Sequence, residues 1–160
     1  MRKVLVTGMS ATGKSAALAE LGRRGFRVVD TDLPGWSEWI EDEADPEGGG
    51  WFWREDRIAE LLATEDERTL YVSGTVSNQG KFYDRFDAIV LLSAPAEVIL
   101  DRIGSRTTNE YGKRPDERGL ILSHLAWVEP RLRATCTHEI DASRSLAEVV
   151  GELIAIGRGS

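Results

Sequence analysis

The chain has 160 residues, 41% of them hydrophobic and 29% charged, with a mean hydropathy of −0.29 and a formal net charge of −7. That balance describes one domain with a single core and excludes a disordered chain; no apolar run approaches the roughly 18 residues of a membrane span, and two basic residues lead straight into a strand-like run without the apolar segment of a signal peptide, so a cytoplasmic protein away from membranes is expected. The negative charge also excludes broad binding to nucleic acid, which needs surplus exposed Lys and Arg.

Residues 3–7 form a short apolar run that predicts a strand, and a helix is expected over 15–24 with Ala16, Ala17, Leu18 and Leu21 at helical spacing. Between them stands Gly8-Met9-Ser10-Ala11-Thr12-Gly13-Lys14-Ser15. Residues 27–30 read as a second strand ending in Asp30-Thr31-Asp32, followed by an acidic stretch over 33–50 rich in Gly and Trp. Four of the five Trp residues, Trp36, Trp39, Trp51 and Trp53, fall within this stretch or just after it and are expected to pack a small helical subdomain, with an aromatic wall for a ring-shaped acceptor as the alternative. A helix over 54–63, a strand over 69–73, an unusual Val76-Ser77-Asn78-Gln79-Gly80-Lys81 run, and a strand over 87–93 come next. Pro95 opens a helix, and residues 106–114 are polar, basic and aperiodic. Pro115 opens another helix whose Ile121, Leu125, Val128 and Leu132 make one stripe, with His124 expected as a hydrogen-bonded core residue. A weaker strand over 138–141 and a helix carrying Leu146, Val149, Val150, Leu153 and Ile154 close the chain. Cys136, the single cysteine, is expected to be a reduced structural thiol.

Continuous apolar strands alternating with amphipathic helices predict an α/β fold of three layers, a five-stranded parallel sheet with helices on both faces, in one domain spanning 1–160. The octapeptide matches the P-loop pattern G-x-x-x-x-G-K-[ST] at every fixed position, and its strand–turn–helix setting is the one such a cradle needs. Backbone N–H groups of Gly8, Ser10, Ala11, Thr12 and Gly13 would surround the phosphates of ATP, helped by the positive end of the helix. Lys14 would reach the β- and γ-phosphates and the Ser15 hydroxyl would hold Mg²⁺. Asp30 and Asp32 alternate along an extended strand end, so both carboxylates should face the site.

The order of these motifs resembles the shikimate kinase group within the nucleoside-monophosphate-kinase-like P-loop family. The resemblance runs from Gly8–Ser15 through Asp30-Thr31-Asp32, Phe52-Trp53-Arg54, Ser73-Gly74 and Arg114-Pro115 to Arg131. It implies a kinase in which Asp30 supports Mg²⁺ beside Ser15, and Asp32 meets the acceptor hydroxyl. Arg54, Gly74 and Arg131 would bind the acceptor, Thr31, Arg102 and Arg106 would lie on the nucleotide side, and Arg114 would grip the transferring phosphate from a lid over 106–114. Residues 33–64 become the acceptor-binding segment. Two departures concern the acceptor pocket: Arg57 stands where the family's motif has Glu, and Gly74 stands where it has a glycine pair. The expected partner is a small-molecule or nucleotide acceptor, and the expected state a monomer or homodimer. A P-loop switch or accessory ATPase working through a protein partner is the rival reading.

Overall fold

The computed structural model describes residues 2–106 and 111–159. Its elements are β1 (Lys3–Gly8), α1 (Lys14–Arg23), β2 (Arg27–Asp30), β3 (Ser37–Glu41), β4 (Gly49–Trp53), α2 (Glu55–Leu62), β5 (Leu70–Ser73), a 3₁₀ helix (Gln79–Arg85), β6 (Ala88–Ser93), α3 (Ala96–Ser105), α4 (Pro115–Trp127), α5 (Glu129–Thr135), β7 (His138–Asp141) and α6 (Leu146–Gly157). Five of the strands form one sheet in the order β2-β5-β1-β6-β7, all parallel. The expected three-layer P-loop fold is therefore the observed one.

Side-chain alternation along the strands divides the core between the two faces. Val4, Val6, Val90 and Leu92 pack with Ala17, Leu18, Ile99, Ile103, Val150 and Leu153, so α1, α3 and α6 cover that face. Leu5, Val72 and Ile89 pack with Trp53, Ile58, Leu62 and Phe82 on the other, under α2 and the 3₁₀ helix. Met9, Leu91 and Leu132 form a smaller group where α5 covers the sheet. At the start of α6 the Ser145 hydroxyl accepts from the Glu148 N–H and donates to its carboxylate, so that helix begins on a side-chain cap.

The structure departs from the sequence expectation in three places. The Trp-rich stretch is an antiparallel hairpin, β3 with β4, in which Trp39 faces Trp51, and their rings meet edge to face 5.6 Å apart. Glu38 faces Phe52 on one side of the hairpin while Trp39 faces Trp51 on the other, and pairing across strands satisfies the backbone that a helical subdomain would have satisfied internally. The stripe after Pro115 is two helices, because Pro130 lacks an N–H and its ring crowds the preceding turn, so α4 ends at Trp127 and α5 starts at Glu129. His124 is half-buried, with Nε2 2.8 Å from Glu47 Oε1 on the hairpin loop; it ties α4 to the hairpin instead of entering the core. Cys136 is partly buried, and burial pushes its thiol pKa up, in keeping with a structural role. Among the described residues no helix is long and apolar enough to cross a membrane.

Candidate active site

β1 ends at Gly8, beside the end of β6, and the next residues turn sharply into α1. Gly8 has φ +150°, and a Cβ there would lie 2.4 Å from the Leu92 carbonyl oxygen, so no side chain fits. Ala11 takes φ +61°, a left-handed conformation costly for a residue with a Cβ, and Gly13 leads into α1 at φ +91°. The loop is held from beneath: the Thr12 hydroxyl donates to Met9 O at 2.8 Å, and the Thr75 hydroxyl donates to Gly8 O at 2.7 Å while accepting from Gly8 N. Ser10 is the exposed residue of the turn.

Lys14, the first residue of α1, folds back over this loop, with Nζ donating to Gly8 O at 2.6 Å and Met9 O at 3.1 Å. Burial lowers its pKa, against the opposing pull of the Asp32 and Asp30 carboxylates. The Ser15 hydroxyl donates to Asp30 Oδ2 at 2.8 Å, and Asp30 Oδ1 accepts from the Asp32 N–H at 3.0 Å. Asp32 reaches solvent, yet desolvation of its carboxyl pushes its pKa up, reinforced by Asp30 and opposed by Lys14. Lys14, Ser15, Asp30 and Asp32 therefore come together at the carboxyl end of the sheet. Ser15 and Asp30 present adjacent oxygens of the kind that bind Mg²⁺. Among the described residues no group of three or more His, Cys, Asp or Glu is placed to hold a metal ion.

Other predicted residues have structural duties. Thr31 is buried; its hydroxyl donates to Ser73 O at 2.7 Å and accepts from Trp53 Nε1 at 2.9 Å, so its side chain fixes the hairpin to the sheet edge and is not offered to a nucleotide. Gly74 is buried beneath that junction: a Cβ would lie 2.3 Å from Thr31 Oγ1 and 3.2 Å from Trp53 Nε1, so the glycine serves a close approach within the wall rather than contact with an acceptor. Arg57, where the resembled family has Glu, donates to Gly35 O at 2.7 Å and lies over the Trp36 ring at 4.6 Å, holding the turn before β3. Arg102 bridges the loop carbonyl of Ala11, at 3.3 Å, to that of Ala142, which keeps it beside the cradle.

The 106–114 segment includes residues 107–110, which lie outside the described residues. Of its flanks, Arg106 donates to Tyr111 O and accepts from Lys113 Nζ, while Arg114 precedes α4 with its side chain 3.4 Å from Asp116. A cavity of about 370 Å³ between the hairpin and α2 is lined in part by Ile40, Phe52, Trp53 and Arg54. Arg54 lines this cavity, whereas Gly74 and Arg131 are not among its lining residues, and Arg131 is exposed on α5. A concavity of about 550 Å³ at α3 and α4, bounded by Glu97, Asp101 and Arg118, includes no residue of the cradle.

The unusual run after β5 supplies residues that motif reasoning did not assign. Asn78 is buried and completes β4 like a strand partner: its Oδ1 accepts from Trp53 N at 2.8 Å and its Nδ2 donates to Trp53 O at 3.1 Å and to Glu55. Gln79 faces the other way, accepting from Val76 N and donating to Thr7 Oγ1 at 3.2 Å and Tyr83 OH at 3.0 Å. Thr7 meets Thr75 at 3.0 Å, and Thr75 holds Gly8. The only sequence signal was a run of amides and hydroxyls in a stretch without periodicity.

The fold recurs in solved structures at low sequence identity. A shikimate kinase from Bacteroides thetaiotaomicron superposes with a TM-score of 0.66 at 16% identity, over 97% of each chain. A gluconokinase from Sinorhizobium meliloti 1021 gives 0.59 at 20%, over 96% of this chain and 90% of that one. A deoxyadenosine kinase from M. mycoides, solved with bound dATP, gives 0.58 at 15%, over 99% and 100%. These likenesses establish the fold. A comparison with curated protein sequences yields no match. The family model described as AAA domain matches residues 4–123, a span that begins in β1 and runs through the cradle into α4. With the P-loop, its bound Lys14 and the parallel sheet behind it, the chain belongs to this AAA domain family of P-loop proteins.

Proposed function

We propose that the protein is an ATP-dependent phosphotransferase that moves the γ-phosphoryl group of Mg·ATP to a small acceptor, a metabolite hydroxyl or a nucleotide. The observation that carries this reading is the junction of Lys14, Ser15, Asp30 and Asp32 at the carboxyl end of the parallel sheet. Open parallel sheets bind ligands at this edge. That the similarly folded structures include kinases for sugar-type and nucleoside compounds agrees with it.

The chain's own groups supply the following chemistry. The loop N–H groups and the N-terminus of α1 bind the phosphates, and Lys14 leaves the Gly8 and Met9 carbonyls for the β/γ-phosphate oxygens. Ser15 and Asp30 are the residues that would hold Mg²⁺, which when bound neutralises phosphate charge. Asp32 takes the proton from the acceptor hydroxyl as that oxygen bonds to the γ-phosphorus; the bond from phosphorus to the β,γ-bridging oxygen breaks, and ADP leaves with that oxygen. A phosphate acceptor needs no such base. Arg114, released from Asp116, stabilises the charge on the moving phosphoryl group.

The test is ADP release from Mg·ATP with and without a panel of acceptors, in the native protein and in Lys14→Ala. Acceptor-dependent release that falls by several orders of magnitude in the variant supports the reading. Hydrolysis indifferent to every acceptor favours the accessory ATPase instead.

A further inference from the structure

On the phosphotransferase reading above, we propose that Trp39 and Trp51 form the platform for the acceptor's ring, and that the acceptor is of the nucleoside type: a hydroxyl joined through a small saturated ring to a planar heteroaromatic one. Side-chain alternation along the hairpin sets these two tryptophans on the face of β3 and β4 that also carries Ser37 and Trp53. Both of those residues bond Thr31: Ser37 Oγ donates to its carbonyl oxygen at 3.1 Å, and Trp53 Nε1 donates to its hydroxyl at 2.9 Å. Thr31 stands between Asp30 and Asp32. The face that Trp39 and Trp51 continue is therefore the one joined at its base to the strand end that bears both carboxylates. The cavity lined by Glu38, Ile40 and Phe52 opens on the opposite face of the hairpin and takes no part.

Two further contacts hold the pair near the chemistry. Ser77 N donates to Trp51 O at 2.9 Å, and two residues earlier Thr75 bonds Gly8, so at most about 7 Å of chain separates the grip on Trp51 from the grip on the cradle. At the far end of the hairpin, Glu47 meets His124 of α4, the helix that follows Arg114, at 2.8 Å. The tryptophans thus lie between two anchored ends. Trp53, on the same face, is 1% exposed, whereas Trp39 and Trp51 are 44% and 54% exposed, with their rings edge to face 5.6 Å apart. Two indoles left in water beside the proposed base offer a π surface on which a planar ring can stack. Residues on one face of a strand recur every roughly 7 Å, so the pair begins about that far beyond the residues that touch Thr31. A nucleoside, with a pentose between its hydroxyl and its base, spans such a step. A lone pyranose bearing the reacting hydroxyl on its own ring is too short, and an open-chain polyol has no ring face to offer.

The experiment measures ADP release from Mg·ATP with adenosine and cytidine, with ribose, which keeps the hydroxyls and lacks the planar ring, and with glucose and glucitol. Quenching of tryptophan fluorescence in the presence of a non-hydrolysable ATP analogue reports binding. At least one nucleoside is expected to exceed ribose about tenfold or more in kcat/KM, the gain from one stacked base. Trp39→Ala with Trp51→Ala should raise that nucleoside's KM about tenfold while kcat and the KM for ATP change by less than about threefold. Trp51→Phe, which keeps an aromatic face, should hold KM near the native value, and Trp51→Leu, which keeps apolar bulk without one, should not; this comparison stands even if the double variant fails to fold. Ribose, glucose or glucitol used as well as the nucleosides, or a nucleoside KM that these variants leave unmoved, overturns the proposal while acceptor-dependent ADP release leaves the phosphotransferase reading standing. A native dimer in sedimentation that the double variant loses, with nucleoside KM unchanged, overturns it by giving the pair to a second copy of the chain. ADP release and fluorescence that respond to none of the compounds overturn both readings.

Discussion

Gln79 Nε2 donates to Thr7 Oγ1 at 3.2 Å, which ties the run after β5 to the strand that delivers the phosphate cradle. Its neighbour Asn78 grips the Trp53 backbone from the same run. Two adjacent amides therefore join the cradle to the hairpin of β3 and β4. Gln79→Leu would leave the Val76 N–H and the Thr7 and Tyr83 hydroxyls short of a partner in a buried place. Each such loss costs about 1–3 kcal/mol, so a destabilisation of about 2–3 kcal/mol and a fall in Tm of roughly 5–10 °C are expected. Thermal unfolding checks this; a Tm unchanged within a degree or so would show that water replaces the amide.

Asp32 has its pKa raised by desolvation, so its proton-accepting form is lost as pH falls at a higher pH than for an ordinary aspartate. With a hydroxyl acceptor, the acid limb of the kcat/KM profile should lie above the usual carboxylate range. The stability sign follows from the same shift. A carboxyl with a raised folded pKa favours folding while protonated, and that contribution fades as pH rises through the folded value, so at neutral pH the ionised group opposes folding. Asp32→Asn should therefore lose turnover while keeping or raising Tm. A variant that lost both would mark Asp32 as structural.

Gly74→Ala would place a methyl group 2.3 Å from Thr31 Oγ1, between the sheet and Trp53. The bond from Trp53 Nε1 to Thr31 must then lengthen or break. Overpacking together with one weakened hydrogen bond costs about 2–3 kcal/mol. Because the displaced side chain belongs to the cavity wall, acceptor KM should rise more than the KM for ATP, and steady-state kinetics with each substrate varied separates the two. An equal rise in both would place the damage in the cradle.

Arg114 and Asp116 form a pair 3.4 Å apart with side chains 76% and 70% exposed, so their attraction is worth at most about 1 kcal/mol and is readily exchanged for a phosphate. Arg114→Ala should lower kcat by about a hundredfold or more and change ATP affinity by much less, because the charge it meets develops during transfer. Hydrogen exchange over residues 106–114, with and without ATP, reports whether this segment closes. Unchanged kcat in the variant, or equal strong protection in both states, would remove the lid role.

The sequence by itself carried the three-layer architecture and the cradle. Strand and helix periods at 3–7, 15–24 and 87–93 are local properties of consecutive residues, and the P-loop needs its glycines, Lys14 and Ser15 at fixed spacing in one short stretch. The junction of Ser15 with Asp30 was also legible, because the rule that ligands gather at strand ends needs only the order of elements. Tertiary structure alone decided the hairpin and its attachment to the sheet. The hairpin's pairing of Trp39 with Trp51, the clamp of Arg57 on Gly35 and Trp36, and the consumption of Thr31 and Gly74 by Trp53 all join residues distant in the chain. Such contacts leave no period to read. The same holds for Asn78 and Gln79, whose opposite-facing amides acquire their partners only when β4 and β1 are brought to either side of them, so the geometry of packing, rather than the order of residues, assigns their roles.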